Sequence, residues 1–193
     1  MMLRRVSLFA VFVLMLSMGL QVNGKEDESP AYTQYVAEVT TAFLKEMYKE
    51  YGFECGASGG RMPYDVEEIS VGLVAHWSAT VEEARELEIK TTERFVQIIN
   101  AHEKIKPFLR ESPFPSSRAR VAISFEKPRK KKTLATDDDV VHVFQAKNRI
   151  FYRAINPDNP YVRKPIKDEP YEEALKIVQS AASTKALQKP KKL

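Results

Sequence analysis

One cysteine, Cys55, and three histidines, His76, His102 and His142, occur in 193 residues. A lone cysteine excludes an internal disulfide, so this chain must be held by packing. The scattered histidines make no His-x-x-x-His pair, and no second thiol joins Cys55, so no metal site is expected. No Gly-Lys-Ser or Gly-Lys-Thr follows the glycines, which excludes a phosphate-binding loop of that kind. A dinucleotide fingerprint fails because a strand pattern, not a helix, comes next. No cofactor is expected. The charge also lacks a dominant sign, with 30 Lys and Arg against 26 Asp and Glu. Residues 25–183 carry 24 basic and 26 acidic side chains, which is not the footprint of a nucleic-acid binder. Only one long apolar run exists, Val6–Leu20, and at fifteen residues it is short of the roughly 20 that a membrane span needs.

That run sits between Arg4-Arg5 and the compact residues Val22-Asn23-Gly24, with Lys25-Glu26-Asp27-Glu28 beyond. A positive start, an apolar middle and small residues before a polar stretch read as a secretory signal peptide over residues 1–24, cleaved after Gly24. The chain is therefore expected to be exported, periplasmic or secreted, with no integral membrane segment after cleavage. Residues 25–182 are expected to form one domain. Residues 183–193, with Lys185, Lys189, Lys191 and Lys192 and no acid, are expected to be a disordered basic tail.

Within the domain, Ser29-Pro30 suits a helix start. Tyr35, Val36, Val39, Phe43, Met47 and Tyr51 then recur at helical spacing, and Gly52 suits the stop. Residues 52–63 hold four glycines in their first nine positions and read as a loop. Val66–Trp77 alternates as a strand, with Ile69, Val71, Leu73 and Ala75 on one face and Ser70, Gly72 and His76 on the other. Thr80-Val-Glu-Glu83 is a capping box opening a second helix, striped by Ala84, Leu87, Thr91, Phe95, Ile98 and His102. Strands are expected over Val121–Phe125, Val140–Ala146 and Ile150–Ile155, and a last helix from Asp168-Glu169-Pro170. Together these predict an α+β fold: one domain, about four antiparallel strands, and helices packed on one face.

Cys55-Gly-Ala-Ser-Gly-Gly-Arg-Met62, Glu83-Ala-Arg85, Ile99-Asn100, Ile105-Lys-Pro-Phe-Leu109, Ser112-Pro-Phe114 and Glu169-Pro-Tyr-Glu-Glu-Ala174 follow one another in that order. In this the chain resembles a group of small exported proteins from host-associated Gram-negative bacteria. The resemblance covers residues 45–178. It implies export and these domain limits, and it implies no catalytic residues, because that group has no established activity. Its members often look like lipoproteins; the cysteine that would carry the lipid is missing here.

Three groups of side chains could carry chemistry. Cys55 could act as a nucleophile if a histidine such as His76 served as its base and glycine N–H groups stabilised an oxyanion. The bland alternative is a small, partly buried thiol. Gly59 and Gly60 with Arg61 could cradle an anion through converging N–H groups, or could simply form a tight turn. Arg129–Lys132 could meet an acidic surface, while Asp137–Asp139 lacks the glycine and later glutamate of a calcium loop. Glu82, Glu83, Glu86 and Glu88 read as a solvated helix face. The favoured expectation is a non-enzymatic binding protein of the cell envelope. Its partner would be a protein, peptide or envelope component, met through the glycine-rich segment and the sheet face of Ser70, Gly72 and His76. The alternative is a hydrolase or transferase built on Cys55 and a histidine. No oligomeric state is implied.

Overall fold

The computed structural model describes residues 30–126, 139–159 and 161–187. The leader-like segment, the basic run Arg129–Lys132, Asp137, Asp138 and the lysines at 189, 191 and 192 lie outside these residues. Helix α1 spans Ala31–Tyr51 and buries Val36, Val39, Phe43 and Met47, the expected stripe. It stops at Gly52, whose φ of 72° is open to glycine and strained for other residues. Strands β1 (Glu54–Arg61) and β2 (Glu68–Ala75) follow, then helix α2 (Val81–Ala101). Strands β3 (Ala119–Phe125), β4 (His142–Ala146), β5 (Arg149–Ile155) and β6 (Arg163–Pro170) precede helix α3 (Tyr171–Leu187). The last helix therefore includes residues 183–187, which were expected in the tail.

The sheet has six strands in the order β1 to β6, two more than expected. The first addition is β1, which corrects the loop expected at the glycine-rich segment. The second is β6, which claims Asp168, Glu169 and Pro170, expected to open the last helix. β2 and β3 run parallel, joined by α2, while all other neighbours are antiparallel. A parallel pair needs a crossover long enough to return the chain, and the capped α2 supplies it. Its cap is formed as read: the Thr80 hydroxyl accepts from Glu83 N–H at 3.2 Å, and the Glu83 carboxylate accepts from Thr80 N–H at 2.9 Å.

α2 packs on β3, β4 and β5, with α1 and α3 beside it. Ile69, Val71, Leu73, Val121, Ile123, Val143, Ile150 and Tyr152 are buried beneath the helices. Phe43 and Phe95 meet there with ring centroids 4.5 Å apart. Burying one such side chain stabilises the fold by roughly 1.5–3 kcal/mol. The alternate residues of β2 to β5 face away from this layer, partly or fully exposed, and among the described residues no helix covers them. No described helix is long and apolar enough to cross a membrane.

Buried charge interrupts the helix-side core. Arg85 of α2 donates to both Glu169 oxygens, at 2.6 and 3.2 Å, and the Tyr152 hydroxyl donates to the same carboxylate. Glu88 corrects the expected solvated face. It shares α2's inward side with Ala84, Thr91, Thr92 and Phe95 and is fully buried. Burial pushes its carboxyl well above the ordinary value, because the charged form has lost its water.

Candidate functional site on the uncovered sheet face

Strand register places the residues of the outer face in rows. One row runs Ala57, Gly72, Ala122, Phe144, Phe151, Asp168 across all six strands. The next runs Glu54, Val74, Ser124, His142, Arg153, Pro165. On the other side Gly59, Ser70 and Arg120 are neighbours. Four residues with little or no side chain, Ala57, Gly59, Gly72 and Ala122, therefore lie side by side. They floor a trough of about 380 Å³, with Ser70 and Arg120 on one flank and His142 and Phe144 on the other.

Beyond the trough the face becomes aromatic and cationic. Phe144 and Phe151 stack with centroids 5.2 Å apart, a cross-strand pair of the kind that stabilises sheets. The Arg153 guanidinium lies over both rings, 5.7 Å and 5.3 Å from their centroids. Arg120 is held by Glu68 at 2.9 Å, and Arg149 by Asp168. Neither Arg153 nor Arg163 forms an ion pair among the described residues. Both lie near His142. Burial first, then the Arg163 charge and a smaller push from Arg153, hold that imidazole down at about 4. It is neutral at neutral pH.

The thiol and its expected base are not brought together. Cys55 is exposed on β1 beside Leu73, so alternation puts it on the helix side of the sheet. Its neighbour Glu54 lies on the outer side and holds His76 at 3.2 Å. His102 is held by Glu38 at 3.0 Å. His142 Nδ1 meets the Ser124 hydroxyl at 3.2 Å, but an imidazole held near 4 is a poor general base at neutral pH.

Gly59, Gly60 and Arg61 sit in a strand, not in a nest. Successive N–H groups of a strand point to opposite edges and cannot converge on one anion. Gly60 is required for another reason: a Cβ there would stand 2.3 Å from the Glu68 carbonyl oxygen, so the residue lets β1 and β2 close up. Arg61 is paired with Glu67 at 2.8 Å. Gly59 serves the trough, where it joins the face expected from Ser70 and Gly72. His76 lies at that face's margin, held by Glu54. The sequence offers Phe151 near Arg153 as a base-stacking hint that strand alternation explains as well; that Phe144 joins them beside a trough follows from the β4–β5 register. No family model, no curated protein and no solved structure matches the chain.

Proposed function

We propose that this protein is an exported binding domain of the cell envelope, not an enzyme, and that its uncovered sheet face takes an acidic partner. The observation that carries this reading is the trough beside Phe144, Phe151 and Arg153. A concave, small-residue floor beside an aromatic pair and two arginines that have no carboxylate partner among the described residues suits recognition of an apolar group carrying negative charge. The leader-like residues 1–24 and the resemblance to exported bacterial proteins support the compartment. The thiol alternative has no imidazole to activate Cys55, and each of the three histidines is engaged elsewhere.

The test uses fluorescent polyglutamate and polyphosphate as probes, with polylysine as the control. At least one polyanion should bind, weakening as salt rises, and polylysine should not. Replacing Arg153 and Arg163 together with glutamine should weaken binding about tenfold while circular dichroism stays unchanged. Equal affinity in the double variant, or no binding of either polyanion, would overturn the reading.

A further inference from the structure

We propose that the free edge of β1 receives an extended segment of a partner protein as a seventh strand, with one large apolar side chain of that segment seated over Ala57 where the trough opens onto the edge. This rests on the reading that the outer sheet face is where the partner binds, and adds a backbone contact at that face's β1 edge.

The two edges of the sheet differ in kind. β6 carries Pro165, Pro170, Lys164 and Lys167, and its pairing with β5 slips between Tyr152 and Arg153. Prolines, lysines and irregular register are the usual means by which an edge refuses another strand. β1 has no proline and no lysine. All eight of its residues are exposed, and Cys55–Gly60 carry no charge. Its register shift is confined to Gly56, which leaves Ala57–Arg61 in unbroken pairing with β2. Among the described residues β1 has a neighbour on one side only.

The trough opens onto that edge. A strand added beside β1 would lie about 4.8 Å from it and send every second side chain to the outer face. The row it joins is the one floored by Ala57 and Gly72, so an aromatic or branched side chain at that position lies over both. Backbone pairing would supply affinity and the trough would supply selectivity, the usual division in strand addition. Arg120 is already paired with Glu68 and Arg153 stands on β5, four strands from β1, so charge on the outer face does not choose the residues either side of the apolar one. A second copy of this chain fits less well, since its own β1 offers no large apolar side chain.

The experiment is a selection from displayed seven-residue peptides, followed by affinity measurements on the synthetic winners. Winners should carry one aromatic or branched residue at a fixed position. N-methylation of alternate backbone nitrogens should weaken binding at least tenfold. Gly59→Leu should do the same by filling the trough; its Cβ meets only the Ser70 hydroxyl, at 3.9 Å, so the strand has room for it. Amide exchange over Ala57–Arg61 should slow when peptide is bound. The inference is overturned if no peptide is enriched, if N-methylated and parent peptides bind alike, or if β1 exchange is unchanged. It is equally overturned if sedimentation shows β1-dependent dimers that exclude the peptide. Should polyphosphate bind in an Arg153-dependent manner while every peptide fails, strand addition is wrong and the acidic-partner reading stands. Should neither bind, both fall.

Discussion

Replacing Arg85 with methionine should cost about 3–5 kcal/mol at neutral pH, the usual loss when one partner of a buried ion pair is removed. The Arg85 and Glu169 side chains are only 8% and 7% exposed, so water cannot stand in for the missing guanidinium. Burial by itself would push the Glu169 carboxyl up. Hydrogen bonds from Arg85, Tyr152 and Lys167 outweigh it and hold the group down at about 2. A folded value below the unfolded one means stability that is present above the ordinary carboxyl range and lost as pH falls toward 2. A change from 4.5 to about 2 corresponds to about 3 kcal/mol at roughly 1.4 kcal/mol per pH unit. The assay is urea unfolding of both proteins from pH 7 to pH 2. The gap between them should be widest at neutral pH and shrink on acidification by an amount on the order of 1–3 kcal/mol, since Tyr152 and Lys167 still hold Glu169 in the variant. A gap that stays constant with pH, or one below about 1 kcal/mol at pH 7, would refute the assignment of this network as an ionised, hydrogen-bonded pair.

Glu88 should behave in the opposite sense. Its raised folded value means that the folded chain holds a proton the unfolded chain has released, so stability falls as pH rises above the ordinary carboxyl value. Glu88→Gln should therefore gain on the parent by about 1.4 kcal/mol per pH unit through that window, and parallel unfolding curves would contradict it. The β4–β5 hairpin turns on Lys147 and Asn148, both at positive φ, 50° and 59°. Asn148→Ala should destabilise the protein by about 1 kcal/mol in thermal unfolding, because the left-handed region that asparagine tolerates is strained for alanine, and an unchanged Tm would contradict it. Cys55→Ser should change stability by less than about 0.5 kcal/mol and leave polyanion binding intact, as an exposed thiol outside the trough requires.

The legible parts of the fold are those whose burial is periodic. α1 announced itself through Val36, Val39, Phe43 and Met47, and β2 through Ile69, Val71, Leu73 and Ala75, because each buries one face. The edge strands bury almost nothing, so neither had a pattern to read. β1 also consists largely of glycine and small residues, which favour loops unless a neighbouring strand pairs with them, as β2 does here. The parallel pairing of β2 with β3 was hidden because alternation is the same whichever way the neighbour runs. Glu88 misled through its residue type: its position, four residues after Ala84, marks it as inward. The site was half visible. Ser70 and Gly72 were recognised as an outer face, but the trough exists only because β1 brings Ala57 and Gly59 beside them and β3 adds Ala122.

The most direct test is an amide NMR titration of the protein with polyglutamate. Shift changes concentrated on Gly59, Gly72, Ala122, Phe144 and Arg153, with α1 and α3 silent, are the expected result. Changes centred on the helix layer, or spread evenly over the surface, would contradict the claim that the uncovered sheet face is where this protein binds.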